Sequence, residues 1–195
     1  MFELNPTPIK KLTIETKTGI PIPNEQAEDI VSGDKRFYCD KLWTKYLDAC
    51  PSWKRRRPST PLYNCAGLVF AHRRTGIYDS EWYERLLDEE GYREIPRDKS
   101  LPGDIVAYRN DKKEILHFAL VYASSPGIQF GEVHQVLAIS KWDSRTGEFL
   151  HKVDESPFTV KNAQEKGSPF FYTDRPNNHE IDHGPPLTAQ QIKNR

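Results

Sequence analysis

The chain has 195 residues, 36% hydrophobic and 29% charged, with 28 Lys plus Arg balancing 28 Asp plus Glu. That length suits one domain, and a zero formal net charge argues against a general nucleic-acid binder. No apolar run of about 18 residues argues for a membrane span, and MFELNPTPIKKLTIETKTG lacks the apolar stretch of a secretory leader, so a cytoplasmic location is expected.

In chain order, residues 11–17 alternate, with Leu12, Ile14 and Thr16 on one side, and predict a strand ended by Thr18-Gly19 and the prolines at 21 and 23. Residues 36–50 predict a helix, since Cys39, Trp43, Tyr46, Leu47 and Cys50 recur at helical spacing before Pro51. Residues 51–61 read as a basic, proline-punctuated loop holding Lys54-Arg55-Arg56-Arg57. A second helix is entered at Asn64, a good N-cap, within 63–74. A third spans 79–90 and stops at Gly91. After the Leu101-Pro102-Gly103-Asp104 turn, strands are predicted at 105–108, 115–122, 133–142 and 147–153. Helices followed by a strand meander predict an α+β fold, helices packed on an antiparallel sheet. The expected organisation is a single domain in three parts. Residues 1–62 form an N-terminal strand, helix and basic loop, 63–155 a core, and 156–195 a proline-rich, loop-dominated extension.

Three cysteines do not make a disulfide framework. Cys39 and Cys50 sit on one predicted helix roughly 16 Å apart, too far to bridge. Cys65 follows the predicted N-cap, where unsatisfied amides stabilise a thiolate and bind a developing oxyanion. A thiolate nucleophile needs an imidazole. His117 interrupts the apolar strand Ile115–Tyr122 and is the best candidate. If that strand pairs with the next about a turn near 127–128, His117 faces positions 138–140, where Ser140 is the polar residue that would orient the ring. His134, Gln135 and His151 are the alternatives.

The order Asn-Cys-Ala-Gly-Leu-Val-Phe (64–70), Pro-Gly-Asp (102–104) leading into a strand, then His-Phe-Ala-Leu-Val-Tyr (117–122) resembles the NlpC/P60 superfamily of papain-like cysteine hydrolases over roughly residues 60–155. It also resembles a bacterial group with a Tyr-Asn-Cys motif and a later Ser-Lys-Trp segment, here Ser140-Lys141-Trp142. The resemblance implies Cys65 as nucleophile and His117 as base, with Tyr63 and Asn64 in oxyanion or substrate binding; the third position, where the register offers Ser140, departs from the family. The family places His, Asn or Gln on the strand after the catalytic histidine; this strand offers His134, Gln135 and Ser140.

The expected function is therefore a cysteine hydrolase cleaving or transferring at an amide bond of a peptide or other amide-containing substrate. No cofactor, metal, nucleic acid or membrane is expected in its chemistry. The alternative is a catalytically inactive binding or regulatory protein on the same fold. A minor alternative is a zinc peptidase, because His179-Glu180-Ile181-Asp182-His183 matches H-E-x-x-H. Its polar flanks and the nearby Pro176 and Pro185 leave little more than one helical turn for that motif.

Overall fold

The structure, a computed structural model, describes residues 8–27, 50–125, 134–159 and 166–176. Of the helix expected over 36–50 only Cys50 is described, and the His179–His183 motif lies outside the described residues.

Nine strands and two α-helices are described. They are β1 (Pro8–Lys10), β2 (Gln26–Ala27), β3 (Lys54–Arg57), α1 (Cys65–Phe70), α2 (Glu81–Glu89), β4 (Arg93–Ile95), β5 (Ile105–Arg109), β6 (Ile115–Ser125), β7 (Gln135–Ser140), β8 (Glu148–Lys152) and β9 (Ser168–Thr173). β1 and β2 form a small antiparallel pair. The other seven form one sheet in the order β3-β8-β7-β6-β5-β9-β4, every neighbour antiparallel. The described residues are thus mixed α and β, with few helices on a large antiparallel sheet. No helix among the described residues is long and apolar enough to cross a membrane.

Three elements depart from expectation. Residues 11–17 alternate in burial, with Ile14 and Thr16 inside, but form a turn with an isolated bridge between Glu15 and Pro21. Pro21 and Pro23 have no N–H to extend a ladder. The basic loop holds β3, and the C-terminal extension holds β9, so the sheet draws strands from both segments flanking 63–155. In β9 the aromatic run Phe170–Tyr172 is what the neighbouring strands β5 and β4 receive.

Strand alternation gives the sheet two buried faces. One face packs Ile105, Ala107, Phe118 and Tyr172 against Ala66 and Val69 of α1 and Tyr83, Leu86 and Leu87 of α2. The other packs Val106, Tyr108, Ala119, Val121, Val136, Ala138 and Phe171 against Val153 and Phe158 of the segment after β8. Leu68 of α1 also meets Tyr63 and Ile139. The site question reduces to which residues project onto which face.

Candidate functional site

Asn64 caps α1 as its sequence predicts. Its Oδ1 accepts from the Gly67 amide at 2.9 Å and the Ile77 amide at 3.0 Å, and its Nδ2 donates to the Ile77 carbonyl at 2.6 Å. Through these bonds Asn64 anchors the 75–77 segment to the start of α1. α1 is only six residues long, ending where His72 and Arg73 take left-handed backbone at φ 48° and 68°. The Gly67 carbonyl accepts from both Ala71 and Arg73 there.

Cys65 opens α1 and is partly buried, a free thiol. Its surroundings are the backbone amides of Phe118, Ala66 and Cys65 itself and the Tyr83 hydroxyl. Burial raises the thiol pKa above its ordinary value and outweighs those donors. The expected depression by the helix end is corrected on two physical grounds. The helix has too few peptide units for a strong field, and the thiol is partly withdrawn from water. Tyr83 is raised in turn, by burial first and then by Cys65.

α1 does lie over β6, the histidine-bearing strand, but Phe118 and not His117 meets it. The Phe118 ring lies 5.2 Å from Phe70 and 5.2 Å from Tyr83, both edge-on. His117 projects from the opposite face. It is almost fully buried, stacks on Phe158 at 4.2 Å with rings 12° apart, and lies 5.8 Å from the Tyr108 ring. Among the described residues its Nε2 has no hydrogen-bond partner. Burial, and secondarily His151, hold its pKa well below the ordinary imidazole range, so the ring is neutral. The expected Cys65–His117 pair is therefore separated by the sheet. A bulge shifts the β5–β6 register where Tyr108 faces His117 and Arg109 faces Ile115, and adjacent residues of a strand face opposite ways.

Ser140 pairs with Ala119, not His117. Its hydroxyl and His151 Nε2 are 2.8 Å apart, and His151 Nδ1 lies 2.8 Å from the Lys152 carbonyl. Burial pushes His151 down to about 4. The remaining alternatives also sit elsewhere. His134 Nε2 lies 2.7 Å from the Ser124 hydroxyl, and Gln135 pairs with Ser125 at the start of β7. Tyr63 is buried and donates to Glu148 at 2.7 Å, so it is not aimed at the thiol. Burial and then that carboxylate raise its pKa.

Two features were missed in the sequence. One is Tyr83 as the thiol's partner, marked only by its inward position on α2. The other is Glu148, a fully buried carboxylate on β8 that also receives Arg73 Nε at 2.5 Å and Arg56 at 3.1 Å, with Arg57 at 3.6 Å. Its signal was a charge inside an otherwise buried strand. A cleft of about 690 Å³ beside α2 is lined by Tyr83, Glu81, Glu84, Lys113 and Glu114. Through Tyr83 it borders the Cys65 layer. Among the described residues no three His, Cys, Asp or Glu converge to hold a metal.

No family model, curated protein or solved structure matches the chain. The NlpC/P60 resemblance rests on the motif residues alone.

Proposed function

We propose that this chain is a binding or regulatory protein, not a thiol hydrolase. One observation carries the reading. The Cys65 thiol faces a tyrosine hydroxyl and backbone amides, with its pKa raised, while His117 is held neutral in the opposite layer. A Cys–His hydrolase needs thiolate and imidazole in contact to attack a carbonyl and protonate the leaving group. What favours an NlpC/P60-like layout is the cysteine-initiated helix crossing the histidine strand. The chemistry that layout serves lacks its second partner. The zero net charge favours peptide or protein partners over nucleic acid.

Alkylation tests this directly. At neutral pH, iodoacetamide labels Cys65 more slowly in the folded protein than in the urea-unfolded chain, as mass spectrometry of timed samples reads it. Faster labelling in the folded state, slowed by His117→Ala, would restore the hydrolase and overturn the proposal.

A further inference from the structure

α1 is too short to hold itself by its own backbone bonds. Its far end runs into His72 and Arg73. Among the described residues, three that are not glycine take left-handed backbone, and these two are consecutive, at φ 48° and 68°. A side chain there crowds the following carbonyl oxygen, so the conformation persists only where surrounding contacts over-determine it. Histidine tolerates it better than arginine.

Three contacts hold that turn. The Gly67 carbonyl accepts from the amides of Ala71 at 3.2 Å and Arg73 at 3.0 Å, which folds the turn back onto the helix. The Thr75 carbonyl oxygen presses against Gly67, where a Cβ would lie 1.9 Å away. Arg73 Nε donates to the buried Glu148 at 2.5 Å, and its Nη2 donates to the other carboxylate oxygen at 3.4 Å. The same carboxylate accepts from the Tyr63 hydroxyl at 2.7 Å, on the residue before the cap Asn64. One side chain of β8 therefore grips both ends of α1, and the grip on the far end falls on a residue in a strained conformation.

We propose that Glu148 is a clamp on a strained helix end: the Arg73–Glu148 contact keeps α1 closed on the sheet, and its loss lets α1 and the 71–76 turn open as a local unit. Opening bares the Cys65 thiol and the apolar residues that α1 covers, Phe118 among them. A short element held by polar contacts at its ends opens at lower cost than the whole domain. The strained turn acts as the spring, because it relaxes once the bond that holds it is gone. The clamp is independent of the reading of the chain as a binding protein.

The test is timed iodoacetamide labelling of the full folded chain at neutral pH, read by mass spectrometry at Cys65 and at Cys50. Cys50 is fully buried in a separate cluster with Trp142 and Phe149, so it gauges opening of the whole domain. Glu148→Gln and Arg73→Gln each speed Cys65 labelling about tenfold, through loss of a charge-assisted hydrogen bond, and leave Cys50 unchanged. Arg73→Gly removes the same bond and the strain with it, and stays within about threefold of the natural chain. A merely structural ion pair gives the opposite order, since glycine loosens a chain more than glutamine does. Unchanged Cys65 labelling in either folded glutamine variant, an equal rise at Cys50, or labelling of Arg73→Gly as fast as Arg73→Gln would each overturn the clamp. If Glu148→Gln does not fold, the two Arg73 variants decide with the carboxylate in place. Faster labelling of Cys65 in the natural folded chain than in the unfolded one overturns the functional reading instead. The clamp is read from differences between variants, so the two failures are separable.

Discussion

An imidazole nitrogen without a partner inside an apolar layer costs free energy that an apolar side chain of similar volume avoids. His117 is such a group. Replacing it by Leu forfeits ring stacking on Phe158, a loss of about 1 kcal/mol, and removes the unpaired Nε2. His117→Leu should stay within about 1 kcal/mol of the natural chain at pH 7.5 in urea denaturation, the two terms offsetting. The pH dependence separates them. His117 and His151 have folded pKa values below the ordinary imidazole value, so the unfolded chain binds more protons and stability falls as pH drops below about 6.5. His151 alone, with a folded value of about 4, accounts for a loss of about 3 kcal/mol across that window. Urea midpoints between pH 7.5 and 4.5 should fall steeply for the natural chain and less steeply for His117→Leu. A flat profile would show that neither ring is buried neutral.

At the scale of the element, α1 is held by its ends more than by its length. Six residues are too few to hold a helix by backbone bonds alone. Asn64 makes three buried hydrogen bonds, one capping Gly67 and two tying the helix start to Ile77. Asn64→Ala should cost about 2 kcal/mol, more than an ordinary cap, because the Ile77 amide loses its acceptor as well, while the Ile77 carbonyl keeps the Tyr83 hydroxyl. Gly67 gives the opposite lesson about propensity. Alanine in a helix gains about 1 kcal/mol over glycine, yet a Cβ at Gly67 would lie 1.9 Å from the Thr75 carbonyl oxygen. Gly67→Ala should therefore lower the melting temperature, with a cost of about 2 kcal/mol or more. An unchanged or raised melting temperature would show that α1 does not approach the 75–77 segment so closely.

Across the whole molecule, Glu148 joins parts that are distant in sequence. It links β8 to the edge strand β3 through Arg56 and Arg57, and to both ends of α1, through Tyr63 before it and Arg73 after it. Burial pushes its carboxyl up, but the hydrogen bonds of Arg73 and Tyr63 and the nearby guanidinium charges outweigh it and hold the pKa below the usual range. The stability this provides is present above the ordinary carboxylate pKa and fades as pH falls through the depressed folded value. Glu148→Gln should cost about 1 to 2 kcal/mol at pH 7, since the partly buried Arg73 loses its counter-charge while the more exposed Arg56 and Arg57 are screened by water. Urea denaturation at pH 7 checks this; a change below about 0.5 kcal/mol would mean the cluster is solvated like a surface pair.

Much of this was legible from local chemistry. Asn64 as a cap, the α2 periodicity over Glu81–Glu89, and the apolar runs of β5 through β8 follow from propensity and spacing that neighbouring residues impose on one another. The short strands β3 and β4 were not legible, because three or four residues rich in Arg and Glu carry little strand signal until a partner strand pairs with them, and the aromatic run of β9 was masked by the proline-rich segment around it. The candidate site failed at the same boundary. Cys65 was placed correctly at a helix start over β6, but the face taken by His117 depends on a register and a bulge. Period two leaves that parity open, since a slip of one residue exchanges the two faces. Tertiary packing decided it. Phe118 fills the space between Phe70 and Tyr83, and in an apolar layer an aromatic ring is favoured there over an imidazole. His117 is left to the other side of the sheet.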